Sequence, residues 1–306
     1  MTTAGRKKIK TAATKKSRQK TTRRHGSEES GLRVFAPARR RARLKPLITL
    51  LTDFGTADYF VAAMKGVIHS VNPNARIIDI THEVPAQDIE AAAFILFAAH
   101  SSFPAGTIHV AVVDPGVGSS RRAILIQAKG QSFVGPDNGI FSYVCDGSKS
   151  RVFHLTNSKY FRHPVSDTFN GRDVFAPVAA SLSLGIAPEK LGVKVRDYVH
   201  LPPLHAEITQ TGIISGRVIH IDHFGNCVTN ITANELTDEM IKADFRLTIR
   251  EHQVETFHRF FAEETNVNRV FCVWGSAGFL EIVAKNQSAA TLLQVKRGDS
   301  VVVTWT

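Results

Sequence analysis

From Pro46 onward the apolar positions fall into two regimes: continuous runs up to about residue 200, then alternation. LITLLT, from Leu47, is an unbroken run of the kind that belongs to a strand covered on both faces, and it stops at Asp53-Phe54-Gly55. Asp58–Ser70 has helical spacing, with Asn72-Pro73-Asn74 as its stop. ARIIDIT is the next strand, ending at Thr81-His82, and Gln87–His100 is an Ala-rich helix. Phe103-Pro104-Ala105-Gly106 then turns the chain into Ile108–Arg122, which reads IHVAVVDPGVGSSRR. This β-α-β-α-β order predicts a layered α/β domain with a mostly parallel sheet and right-handed crossovers.

Shorter strands follow at Ala123–Ala128 and Ser132–Val134, and a Pro136-Asp137-Asn138-Gly139 turn leads into Ile140–Val144. Arg151–Thr156 reads as a further strand. Pro164–Pro177 is polar at first and then helical through Leu184, with Gly185 placed to end the helix. Within it Thr168–Asp173 is too polar for a core, so it is either a functional loop or an elaborate cap. A Pro pair in Val199–His205 marks the domain boundary. Beyond it the period becomes two, in Ile213–Ile221 and Cys227–Ile231, with more short strands at Phe245–Ile249, Val270–Val273, Leu280–Ala284 and Ser300–Trp305. Short strands with close Gly turns predict a small C-terminal β-barrel or sandwich. The expected division is therefore 1–45 as a tail, 46–200 as the α/β domain and 206–306 as the barrel.

The net charge of +11 first suggests a nucleic-acid partner. Its location removes that suggestion from the folded part. Residues 1–46 hold sixteen Lys/Arg and two Glu, whereas the rest of the chain holds 22 basic and 25 acidic side chains. The basic segment has too few apolar residues to bury a core and is expected to be a disordered arm, which confines any nucleic-acid contact to it. Cys145, Cys227 and Cys272 fit no paired or metal-binding spacing and read as buried thiols of a reducing compartment. No apolar run has the length of a membrane span, so a cytoplasmic protein is expected.

Carboxylates end three of the strands: Asp53, Asp79 near His82, and Asp114. Ligands of open α/β sheets bind beyond such ends, and one carboxylate accepts both hydroxyls of a ribose. The chain has neither GxxxxGK[ST] nor GxGxxG, so no polyphosphate cradle is indicated. A nucleoside without polyphosphate is the ligand this favours. Asp114 and Arg121 also fit plain turn chemistry. Asp222 and Asn226 in IDHFGN fit a hairpin turn, and His220, Asp222 and His223 do not make a convincing metal site.

Taken together, LLTDFG, IIDITH, FPAGTIHVAVVDPGVGSSRRA, VGPDNG, TFNGRDVFAP and IDHFGNCVTNI resemble, in order and spacing, the S-adenosyl-L-methionine (SAM) hydroxide adenosyltransferase family, relatives of the fluorinase and chlorinase enzymes. The resemblance spans Leu47–Thr306. It implies an α/β domain followed by a β-barrel, and a homotrimer with SAM bound between one subunit's first domain and its neighbour's second. The implied reaction is attack of water or hydroxide on C5′ of SAM, giving adenosine and methionine, with no metal and no redox cofactor. An Asp, an Arg and a His hold the water in that family. The first two match Asp114 and Arg121, but the position of the His, in TFHGRD, is Asn170 here. An amide hydrogen-bonds water yet cannot take its proton at neutral pH.

By the same matching, Asp53 is the ribose carboxylate, Asp222 and Asn226 contact the methionine part or the nucleoside, Ser276 and Glu281 lie toward the adenine, and Asp58 toward the methionine end. Halogenases of the family lack the Asp and carry an inserted loop that is absent here, which favours water over halide. Two other readings stay open: a SAM- or adenosine-binding protein whose chemistry faded with Asn170, and halide-using adenosyl transfer.

Overall fold

The computed structural model describes residues 47–145, 149–209 and 212–305. The basic segment 1–45, with the arm expected there, lies outside them.

The first sheet holds β1 (Leu47–Thr52), β2 (Arg76–Thr81), β3 (Ile108–Val112), β4 (Ala123–Ala128), β5 (Gln131–Pro136), β6 (Arg151–Leu155) and β7 (Gly192–Val195). Their spatial order is β2-β1-β3-β5-β4-β6-β7. β2, β1, β3 and β5 pair in parallel. β4 runs against both β5 and β6, and β7 against β6, so five of the seven strands share one direction. The central strands β1, β3, β4 and β5 are almost entirely buried because both of their faces are covered. Ile48, Leu50, Val110 and Val112 pack under α1 (Phe60–Val71) and α3 (Ala176–Ser183). Leu51, Ala111 and Val113, one position out of phase, pack under α2 (Ile89–His100). Period-two alternation thus splits one apolar run into two cores.

Several boundaries differ from the sequence pattern. The helix expected from Gln87 begins at Ile89, because Asp88 accepts the Ala91 amide at 3.0 Å as its cap. Gln87 itself is left-handed, with φ 66°. Ile140–Val144 is a series of turns that buries Ile140, Phe141 and Val144. β7 carried no sequence signal of its own. It pairs tightly because Gly192 lies against β6, where a Cβ would stand 1.9 Å from the His154 carbonyl oxygen.

The second sheet contains β8 (Glu207–Ile208), β9 (Ile214–Ile221), β10 (Cys227–Thr232), β11 (Arg246–Ile249), β12 (His252–Val254), β13 (Val270–Trp274), β14 (Phe279–Ala284) and β15 (Ser300–Thr304). Its order is β12-β11-β15-β9-β10-β14-β13, with β8 beside β9, and every ladder is antiparallel. The segment after β12 returns to β13: Cys272 donates to the Thr256 carbonyl at 2.8 Å and accepts from the His258 amide at 2.9 Å. That contact brings the sheet close to a closed barrel around Ile214, Val218, Leu247, Cys272, Ile282 and Val303. α2 meets this sheet through Phe94, whose ring lies 5.0 Å from His220 and 5.9 Å from Phe279. Glu90 pairs with Arg217 at 2.6 Å, and Asp88 pairs with Arg297 while capping α2.

A buried imidazole supports the α2 side of the first sheet. His109 on β3 is fully buried, bonds Thr49 Oγ1 through Nδ1 at 2.7 Å and stacks on Phe133 at 5.0 Å. Burial first, and the nearby His100 second, push its pKa down to about 4, with Gln131 partly offsetting them. An unfolded chain protonates this group near 6.5, so His109 contributes its full stability above that pH and loses it as the pH falls toward 4. Urea unfolding of wild type between pH 7 and 4 is expected to show an acid-side loss from this group approaching about 1.4 kcal/mol per pH unit. A His109→Gln variant should show a shallower pH dependence over that interval.

Candidate active site

β3 runs buried through Val113 and delivers Asp114 at its end. A compact turn then brings the chain back over seven residues. The Val117 amide donates to the Asp114 carbonyl at 3.2 Å, and Ser119 Oγ donates to the Gly116 carbonyl at 2.6 Å while accepting from the Arg121 amide at 3.2 Å. Gly118, at φ 79°, packs so closely on the Asp167 carbonyl that a Cβ would sit 2.6 Å from it. Arg121 is thereby turned to face Asp114. Its Nε donates to Oδ1 at 2.8 Å and its Nη2 to Oδ2, a two-pronged pairing of fork to carboxylate. Their side chains are only 11% and 5% exposed, so little water competes for the pair. The guanidinium also lies 5.4 Å from the centre of the Phe175 ring.

Asn170 joins this pair. It precedes the wide helical turn Gly171–Phe175 that leads into α3. Its surroundings assign the amide: the oxygen accepts from Arg121 Nη2 at 2.9 Å, and the nitrogen donates to the Ser166 carbonyl at 3.2 Å. Asp114, Arg121 and Asn170 therefore form one connected group. Asp114 and Asn170 line a cavity of about 440 Å³ together with Asp53, Phe54, Phe60, Val112 and Phe169, a size suited to a small organic ligand. Phe60 and Phe169 meet edge to face at 5.2 Å and make its apolar wall. Asp53, at the end of β1, accepts the Gln87 amide on Oδ2 at 2.8 Å.

Thr168–Asp173, expected to be too polar for a core, carries the most buried carboxylate of the loop. Asp173 is fully buried and accepts from Arg172 at 2.7 and 2.8 Å, from Arg162 at 3.0 Å and from the Ser166 amide at 2.9 Å. Burial raises its pKa, but the Arg172, Ser166 and Arg162 donors outweigh that and hold it below the ordinary carboxylate value. Asp173 so fixes the loop that presents Asn170.

The other sequence candidates lie elsewhere. Asp222 accepts the Phe224 and Asn226 amides on Oδ1, both at 2.9 Å, and the Asn226 side chain on Oδ2 at 2.8 Å. Glu281 stands across the β10–β14 ladder from Val228, and burial followed by the Asp222 charge raises its pKa. It folds over Gly275, where a Cβ would lie 1.8 Å from Oε1, next to the exposed Ser276. Asp222 and Asn226 occupy the β9–β10 turn, Ser276 the β13–β14 turn and Glu281 strand β14, and none of them lines the cavity beside Asp114. Asp58 is exposed just before α1 and does not line it either. Sequence reasoning missed the Gln87 amide, the Phe60–Phe169 wall and the anchoring by Asp173. The only available cue was the density of polar residues around Asn170.

The family descriptions SAM hydroxide adenosyltransferase N-terminal domain and C-terminal domain match residues 48–192 and 216–302, and the chain belongs to that family. It is 38% identical over 267 residues to the (R)-S-adenosyl-L-methionine hydrolase of Methanocaldococcus jannaschii, covering 83% of this chain and 94% of that one. Similarity to the fluorinase of Actinopolyspora mzabensis is lower, 26% over 85% of this chain and 97% of that one. The crystal structure of an uncharacterized conserved protein from Thermotoga maritima superimposes with a TM-score of 0.78 at 35% identity, covering 84% of this chain and 99% of that one.

Removing the Asp173 charge leaves two guanidinium groups facing each other across the loop. Asp173→Asn should therefore destabilise the protein by about 3 kcal/mol, read as a lower urea midpoint with an unchanged m-value.

Proposed function

We propose that this protein hydrolyses S-adenosyl-L-methionine at C5′, forming adenosine and L-methionine. The observation that carries this reading is that Asp114 and Asn170, both bonded to Arg121, line a cavity that also contains Asp53. Membership of the family and the name of its M. jannaschii relative supply the substrate. In the reaction the C5′–O bond forms as the C5′–S bond breaks, the electron pair goes to the departing thioether sulfur, and the proton lost by the attacking water leaves to solvent. The leaving group is good, so the protein's task is to aim a partly desolvated nucleophile along the line of the breaking bond. Asp114 and the Asn170 oxygen accept hydrogen bonds from water, and the Arg121 N–H groups stabilise its developing hydroxide character. A halide donates no hydrogen bond and is repelled by the Asp114 charge, which favours water.

In this scheme Asp53 accepts the ribose hydroxyls and Phe60 and Phe169 exclude water. Asp58 serves the methionine end, Asp222 and Asn226 contact the methionine part or the nucleoside, and Ser276 and Glu281 lie toward the adenine. The last four lie off the Asp114 cavity within one chain, which supports a homotrimer whose sites combine residues 46–200 of one subunit with residues 206–306 of the next. The scheme needs no metal or redox cofactor, and we place the reaction in the cytoplasm.

Asn170 favours one second reading, a SAM- or adenosine-binding protein without turnover, because its amide cannot accept the proton. Purified protein incubated with SAM is expected to release equal amounts of adenosine and methionine on chromatography. Asp114→Ala should lower kcat by about 10²-fold or more. Wild type has no imidazole in the group, so its kcat profile should lack a break near pH ~6.5, and Asn170→His should introduce one. Tight SAM binding with no product, and product only after Asn170→His, establishes the binding reading instead. Chloride-dependent 5′-chloro-5′-deoxyadenosine establishes halide transfer.

A further inference from the structure

A chain of polar contacts next to Asp53, buried at Thr52 and His82 and partly exposed at Asp79 and Lys65, takes no part in the scheme above. It begins at Lys65 on α1, whose Nζ donates to Asp79 Oδ2 at 2.6 Å. The other carboxylate oxygen, Oδ1, lies 3.1 Å from His82 Nε2, off the straight line of an ideal N–H bond. Burial raises the Asp79 pKa, but Lys65 and His82 outweigh it and keep the carboxyl below its ordinary value. A neutral ring with its hydrogen on Nε2, toward the carboxylate, presents Nδ1 as the acceptor. Nδ1 lies 2.9 Å from Thr52 Oγ1, which donates to it in that tautomer. The same Thr52 oxygen accepts the Phe54 amide at 3.3 Å.

The line also has a target. Thr52 and His82 are 0% and 5% exposed, so water does not compete for their bonds. His82 acts on the neighbouring backbone too, where its carbonyl accepts the Gly55 amide at 2.8 Å. Thr52 and Gly55 are thus held by His82 and Phe54 by Thr52, with Asp53 between them. The Gln87 amide, five residues past His82, holds Asp53 Oδ2 from the other side. We infer that His82 is a positioning residue, and that the Thr52–His82–Asp79 relay aims the Asp53 carboxylate at the vicinal diol of the ligand's sugar. This rests on the nucleoside reading above. It adds to it the source of selectivity for a ribose over a sugar without hydroxyls.

The test measures binding of adenosine and of 2′,3′-dideoxyadenosine to the full-length protein by calorimetry, with KM and kcat for SAM measured alongside. Wild type is expected to bind adenosine at least about tenfold more tightly than the dideoxy compound, as bonds to a charged acceptor require. Thr52→Val should reduce that ratio at least about fivefold and raise KM more than it lowers kcat, while binding of the dideoxy compound changes less than about twofold. Thr52→Ser, which keeps the hydroxyl, should restore the ratio. Asp79→Ala acts at the partly exposed end of the relay, where folding is least disturbed, and should also reduce the ratio. If Thr52→Val and Asp79→Ala weaken both ligands equally, or leave the ratio intact, the relay has no positioning role and the inference fails. A wild type that binds both ligands equally overturns instead the assignment of Asp53 to the ribose.

Discussion

A carboxylate and a guanidinium withdrawn from water must face each other, because each alone would pay the full cost of lost hydration. Asp114 and Arg121 meet that demand only because β3 ends where it does and the next seven residues fold back on themselves. The turn depends on Gly118, which has a left-handed backbone and packs against the Asp167 carbonyl. The Asp167 segment is in turn held by Asp173 and its arginines. Orientation of one ion pair therefore depends on two loops that are distant in sequence. Such a pair is weak evidence of stability, since an apolar replacement of the same shape is often no less stable. Its value lies in keeping two charged groups at fixed angles beside a cavity.

The central strands of the first sheet were legible because a strand buried on both faces is predominantly apolar along its whole length, as LITLLT and IHVAVV are. The barrel strands were legible for the opposite reason, since one face looks inward and the period becomes two. What sequence could not convey was closeness between backbones. β7 is short and polar at Lys194, and it forms because Gly192 can approach β6. Gln87 read as the first residue of a helix, yet the capping preference of Asp88 displaces it into a left-handed turn.

The candidate site was legible in part for a related reason. Strand ends announce themselves, so Asp53 and Asp114 stood out, and the turn between Asp114 and Arg121 is short enough to suggest a meeting. The anchoring role of Asp173 was hidden because charge density is ordinarily a sign of exposure. Here three donors surround one carboxylate and let it be buried. Asn170 was visible as a departure from the family's histidine. Its amide oxygen still faces Arg121, so the substitution keeps an acceptor for the guanidinium and gives up the ring's basicity.

Asp88 occupies a position with consequences beyond its own helix. It caps α2, it pairs with Arg297 in the turn before β15, and it directly follows Gln87, whose amide holds Asp53. Arg297, Asp88, Gln87 and Asp53 thus form one continuous line of contacts from the barrel to the cavity, although the barrel contributes no lining residue to it.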